Sequence, residues 1–203
     1  MVIAWVAFCG WVLAGLSTVA GIEEPSYDVV RSAQGYEVRR YSPQLAAAVS
    51  ATGPWTEAYA LGASLLRTYA AGDNTTAESV AAGRPQVSAE GENIAGAVPL
   101  FSAVKGDGWT ISMVVPEHWS DVTLPRPNDP RIRILRIPER TVAVLTFSGS
   151  SGRDRVVVRE ARLRDLLARD KAVILGPATL AQYQPAWVPP FLRRNEIIVP
   201  IRP

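Results

Sequence analysis

From Tyr36 to Ile201 the chain runs twice through one order of elements, and this repeat constrains the fold more than any other feature. In the first half "YEVRRY" and "LAAAVSA" read as strands, broken at Ser42-Pro43. "TEAYALGASLLRTYAAG" then reads as a helix, with Thr56 placed to cap its start and Gly72 to end it. Ala58, Leu61, Leu65, Leu66 and Tyr69 fall on one face of it. "NIAGAVPLFSAV" and "GWTISMVVP" follow, the latter alternating Trp109, Ile111, Met113 and Val115 against Thr110 and Ser112 as a half-buried strand does. The second half repeats the order: "IRILRI" and "TVAVLTFSG" split by Pro138-Glu139-Arg140, then a helix over residues 154–170, then "AVILGPATLAQYQ" and "NEIIVPI". Val158, Leu163, Leu166 and Leu167 supply the second helix with its core stripe. Two helices that must each cover sheet surface predict an α+β domain with a strongly curved antiparallel sheet.

The joints are equally legible. Residues 116–130 carry four prolines and read as an irregular connection over the surface. Residues 73–93 are polar, small and free of aromatic residues, which predicts a mobile loop; Asn74-Thr75-Thr76 there matches a glycosylation acceptor, relevant only in a eukaryotic secretory pathway.

Residues 1–21 hold no charge and end in small residues, with Thr18-Val19-Ala20 as a candidate cleavage site. The positive start of a signal peptide is missing, and the run matches the roughly 20 residues of a membrane span. The expectation is therefore an exported protein, periplasmic or otherwise extracytoplasmic, with 1–21 as a signal peptide or a retained membrane anchor and 22–203 as one domain. Cys9, the sole cysteine, lies in this run, so the body forms no internal disulfide and offers no thiolate. Charge is nearly balanced, 21 Lys and Arg against 19 Asp and Glu, which gives no basis for nucleic-acid binding.

In order along most of the chain after residue 21, these segments resemble the SOUL family of haem-binding proteins. "YEVRRY" is similar to the family's opening strand, "IAGAVPL" stands where the family has Ile-Ala-Met-Thr-Ala-Pro-Val, and "WTISMVVP", "PNDPRIRI" and "TVAVLTFSG" resemble the segments that follow. The most specific match is the terminal "YQPAWVPPFLRRNEIIVPI", an aromatic and proline run feeding Arg-Arg-Asn-Glu. Gly96 and Ala97 replace the usual Met-Thr, so contacts that depend on that methionine are not carried over. The resemblance implies a distorted antiparallel β-barrel of about eight strands with two flanking helices, built from two pseudo-repeated halves, and it implies tetrapyrrole binding.

A haem site asks for an apolar slot, basic groups for two propionates and often an axial ligand. Trp55, Tyr59, Leu65, Leu66 and Tyr69 offer an apolar wall on the first helix, which is equally readable as ordinary core. Arg67 beside them, and Arg39 and Arg40 of the opening strand, can reach propionates. His118, the sole histidine, sits in the proline-rich connection as a possible axial ligand, with Met113, Tyr59 or Tyr69 as substitutes. In the terminal signature, Trp187 and Phe191 can lie over the barrel, while Glu196 is a natural partner for Arg193 or Arg194. That cluster either fixes the register of the last strand or meets a ligand carboxylate. The function expected is reversible binding of haem or a related tetrapyrrole in a mainly apolar pocket, as carrier, buffer or sensor. No nucleophile and base pair, metal cluster or phosphate loop is visible, so an enzyme is not expected. The alternatives are a small-molecule hydrolase or ligand sensor, with Glu57 or Glu139 as its carboxylate, and a membrane-associated interaction protein.

Overall fold

Alternating residues of nearly uniform apolarity build the sheet, and the computed structural model describes it over residues 23–76, 91–94 and 99–203. The uncharged run 1–21, Gly96, Ala97 and most of the 73–93 loop lie outside the described residues. Along the chain come β1 (Tyr27–Ala33), β2 (Tyr36–Tyr41), β3 (Gln44–Ala51), α1 (Trp55–Ala70), β4 (Asn74–Thr75), β5 (Leu100–Lys105), β6 (Gly108–Val114), β7 (Arg126–Pro127), β8 (Ile132–Ile137), β9 (Arg140–Ser148), α2 (Arg153–Arg169), β10 (Thr179–Gln182) and β11 (Arg194–Pro200). Nine strands form one antiparallel sheet in the order β1-β2-β9-β11-β10-β5-β6-β3-β8, and β4 pairs β7 apart from it.

The expected halves are visible in that order. Exchanging β2 with β8, β3 with β9, β5 with β10 and β6 with β11 turns the eight-strand order into its own reverse, so the sheet carries a pseudo-two-fold axis between β5 and β10. The first strand of each half pairs not with its own half but with the other: β2 with β9, and β8 with β3. β1, absent from the sequence reading because its valines are half-exposed and alternate with nothing, adds a ninth strand outside β2.

Both helices lie on one face. α1 packs on β3 and β6, α2 on β9 and β11. Tyr41, Val142, Val144, Ala181, Tyr183 and Ile198 face the other way and are buried as well, with no helix over them among the described residues. A face buried without a covering element requires the sheet to curl upon itself, which is the half-barrel form of the expected barrel.

The helices differ in how they use their sequence. α1 buries Ala58, Gly62, Ala63, Leu66, Tyr69 and Ala70, whereas Leu61, expected on that stripe, is 42% exposed. Small residues on that face bring the helix so close to β6 that a Cβ on Gly62 would stand 2.6 Å from Ile111 Cβ. The expected cap Thr56 is displaced by one turn geometry: the helix starts at Trp55 behind Pro54, with no side-chain cap bond. α2 buries only Leu163 and Leu167, and Val158, expected in its stripe, is 65% exposed.

Each helix ends in the same way. After α1, the N–H groups of Gly72 and Asp73 turn back to the carbonyls of Tyr69 and Thr68, with Gly72 at φ 115°. After α2, those of Lys171 and Ala172 turn back to Ala168 and Leu167, with Lys171 at φ 56°. A side chain in the left-handed region costs about 1–2 kcal/mol, against about 0.5–1 kcal/mol for the extra chain entropy of glycine. Lys171→Gly is therefore expected to stabilise the domain by roughly 0.5–1 kcal/mol, read as a rise of about 2 °C in thermal midpoint; a fall would show that the lysine side chain holds a contact that outweighs its backbone strain.

Candidate functional site

The first ten residues of α2, Arg153 to Arg162, contain no buried residue, so this half of the helix stands over the sheet without sealing it. Beneath it opens a cleft of about 190 Å³ on the pseudo-two-fold axis. β5 contributes Ser102 and Val104, β10 Thr179 and Leu180, β6 Trp109, and α2 Val156, Val157 and Glu160. The first residues of both helices, Trp55 and Arg153, complete the rim. The positive ends of two helix dipoles therefore lie at its mouth, which suits a ligand carrying carboxylates. Glu160 is tied to Arg164 one turn on, at 2.8 Å.

The expected wall residues on α1 separate. Trp55 lines the cleft and stacks on Tyr59, ring centroids 5.2 Å apart and planes inclined by 24°. Burial raises the Tyr59 phenol pKa above its ordinary value, with Arg67 working against the shift. Leu65 is half-buried against the α1 core, and Arg67 is exposed. Leu66 and Tyr69 are fully sealed in that core, where the Tyr69 hydroxyl donates to the Pro125 carbonyl at 2.7 Å and burial pushes its pKa up. Of the expected wall only Trp55 lines the cleft, with Tyr59 stacked on it and packed against the α1 core; Leu66 and Tyr69 are committed to packing.

None of the expected iron donors reaches the cleft. His118 is exposed with its ring 5.0 Å from that of Trp119, and Trp119 lines a separate hollow of about 570 Å³ at the start of β3, walled by Pro43, Pro116 and Pro138. Met113 is buried in the core. Among the described residues no cluster of His, Cys, Asp and Glu could hold a metal ion. Glu57 and Glu139 are both exposed, the one in the first turn of α1 and the other in the β8–β9 turn, and neither lines the cleft or the hollow beside Trp119. Of the cleft residues sequence reasoning singled out Trp55 alone and missed the rest, Trp109, Glu160 and the strand residues of β5 and β10 among them; only the Val156-Val157-Val158 run on a helix otherwise rich in arginine could have signalled the α2 side. Asn74 is no glycosylation site in the folded chain, since it is buried with its amide nitrogen donating to the Tyr69 and Glu92 carbonyls.

Arg-Arg-Asn-Glu is a structural cluster. Glu196 is wholly buried, and its carboxylate accepts from Arg39 Nη1 (3.1 Å), Arg194 Nη2 (2.7 Å), the Tyr183 hydroxyl (2.7 Å) and Thr146 Oγ1 (3.2 Å). Arg39, expected near a propionate, is buried here and spans Glu196 and Glu37; Arg40 remains exposed. Burial alone would raise the Glu196 pKa, but Arg39, the Tyr183 hydrogen bond and Arg194 outweigh it and hold the carboxyl below its ordinary value. Arg194 is further bound to Glu24 at 2.6 Å, and Arg193 donates to the carbonyls of Val188 (2.6 Å) and Ala186. With these partners the cluster pins β11 in register. Trp187 and Phe191 do not lie over the barrel: they are 53% and 60% exposed, and Val188 and Pro189 are the residues of that turn which are buried.

A family model described as SOUL heme-binding protein matches residues 22–200. Among solved structures the chain is similar to a hydrolase from Listeria innocua, with a TM-score of 0.54 and 10% identity over 85% of this chain and 94% of that one. It is equally similar to the C-terminal domain of EcmrR, with a TM-score of 0.54 and 11% identity over 87% and 98%. At these identities the likeness is one of fold. No curated protein matches the sequence.

Proposed function

Because the chain belongs to the SOUL haem-binding protein family, we propose that it binds haem or a related tetrapyrrole reversibly, in the cleft beneath the first half of α2. The observation that carries this reading is the cleft's composition: two indoles, Trp55 and Trp109, and the side chains of Val104, Val156, Val157 and Leu180 around an opening rimmed by Arg153 and two helix N-termini.

The residues fit a porphyrin held by contact. Flat apolar surface meets Trp55, Trp109 and the valines, at about 25 cal/mol for each Å² removed from water. Arg153 and the positive ends of the two helices receive a propionate. Among the described residues no histidine, cysteine or methionine lines the cleft, so none of them is an axial donor there. When bound, haem would supply a redox-capable iron; the protein's share is to hold the macrocycle and exclude water from one of its edges. At about 190 Å³ the cleft is smaller than the 300–1,000 Å³ or so of sites that enclose a ligand of this kind, which favours edge-on, modest-affinity binding suited to a carrier, buffer or sensor.

Titration of the purified full chain with haemin, followed by the Soret shift, tests this. Val157 is 56% exposed, so Val157→Asp leaves the fold intact by circular dichroism while placing a charge in the cleft. It is expected to lower affinity about tenfold, the equivalent of about 1.4 kcal/mol. His118→Ala should leave the shift unchanged. If His118→Ala abolishes it and Val157→Asp does not, binding belongs to the hollow beside Trp119. The carboxylate of Glu160 among aromatic residues favours, as a second reading, a sensor of small organic cations on the same cleft; saturable binding of such a cation with no haemin response would put that reading first.

A further inference from the structure

The turn from Pro185 to Leu192 projects two large aromatic side chains into solvent, and its backbone is already prepared to lose water. Val188 N–H bonds the Pro185 carbonyl, Leu192 N–H that of Pro189, and Arg193 N–H that of Pro190. The Arg193 guanidinium takes the carbonyls of Val188 and Ala186. Pro185, Pro189 and Pro190 have no N–H to satisfy. Beneath the turn the buried Val188 anchors it to the domain, while Trp187 and Phe191 remain 53% and 60% exposed on a rigid support. Holding two such rings in water is unfavourable, and a loop that only connects β10 to β11 does not need them.

The position of the amino-terminal segment says what covers them. The described chain begins at Glu23, directly after the uncharged run 1–21, and Glu24 is fixed by its 2.6 Å ion pair with Arg194. Three residues separate Arg194 from Phe191, at most about 11 Å of chain. Glu24, three positions after the apolar run in sequence, is therefore held beside the exposed aromatic turn. We propose that the Trp187–Phe191 turn is a docking surface for a lipid bilayer, on which the domain rests next to the apolar run. Tryptophan and phenylalanine on a proline-rich, largely hydrogen-bonded backbone suit the boundary between headgroups and acyl chains, and Arg193 suits its anionic side.

The test uses full-length protein in vesicles of zwitterionic and anionic phospholipid. In a Cys9→Ser background, which removes the only cysteine, Phe191→Cys or, as reference, Leu175→Cys receives an environment-sensitive fluorophore. Leu175 is 58% exposed and its N–H bonds the Pro200 carbonyl, six residues and roughly 20 Å along β11 from Arg194. Lipid-borne nitroxide is expected to quench the label at 191 at least about threefold more than the label at 175, and aqueous iodide to do the reverse. Trp187→Ser should weaken the lipid quenching at 191 with the circular dichroism spectrum unchanged. Equal quenching at both positions overturns the proposal. So does protection of position 191 that arises without lipid and grows with protein concentration, which would assign the turn to a second copy of the chain.

Discussion

Replacing Glu196 by alanine is expected to destabilise the domain by about 3–5 kcal/mol, the usual result of removing one partner from a buried ion pair. Arg39, which is almost wholly buried, would be left without its buried counter-ion, and the Tyr183 hydroxyl would lose its acceptor. For a domain of this size the thermal midpoint should fall by on the order of 10 °C. Glu196→Gln should cost less, since an amide oxygen still accepts hydrogen bonds, yet it leaves two guanidinium groups short of charge. The reverse arm separates ion pairing from shape: Arg39→Met combined with Glu196→Leu should recover most of the loss. A drop below about 1 kcal/mol for Glu196→Ala would mean that water enters the cluster and the burial is nominal.

The same carboxyl sets an acid limit. Its folded pKa lies below the ordinary 4.5, so the stability it contributes is complete above about pH 4.5 and is lost as pH falls through the lower folded value. Urea midpoints of the native chain should therefore decline from about pH 4.5 downward, and the Glu196→Gln variant should show a shallower decline over the same window.

Gly62→Leu is expected to cost about 3 kcal/mol or more, and Gly62→Ala to destabilise as well. On an exposed helix face, glycine to alanine stabilises by about 1 kcal/mol. At position 62 the sign reverses, because the added Cβ meets Ile111 Cβ and Cγ1 at 2.6 Å, both part of a fully buried side chain on β6. α1 must then rise from the sheet and loosen the core around Leu66 and Tyr69. Chemical denaturation of the alanine variant decides: a gain in stability would show that the helix shifts at no cost. Ile111→Ala in the Gly62→Ala background should restore part of the loss, whereas Ile111→Ala alone should not stabilise.

How much of this was legible follows from the range of each interaction. Strand β6 and the end of α1 could be read because alternation and Gly72 act within a few residues of themselves. The stripe of α2 was misassigned at one position: Leu163 and Leu167 are core, but Val158, five and nine residues before them, falls about 140–180° away around the helix and faces solvent, while Val156, seven residues before Leu163, shares their face and packs on the core. Glu196 was paired with its sequence neighbours, and Arg194 is one; Arg39, 157 positions away, became its partner only through the β2–β9–β11 pairing, which a local reading does not reach. The cleft has the same origin. Trp55, Trp109 and Val156 are remote in sequence and meet because the two helix starts converge on the β5–β10 axis.

The exchange of first strands between the halves bears on how this chain acquires its structure. β2 cannot complete its pairing until β9 exists, and β3 waits for β8 across more than eighty residues, so neither half forms a finished sheet as it emerges during synthesis. Contacts between such distant segments require closure of long loops before they reward it, which places the domain among slow folders whose early intermediates present unpaired strand edges. A single half standing alone would meet the same need by lending its first strand to a twin, so the present chain has the connectivity of a strand-exchanged dimer joined through residues 116–130.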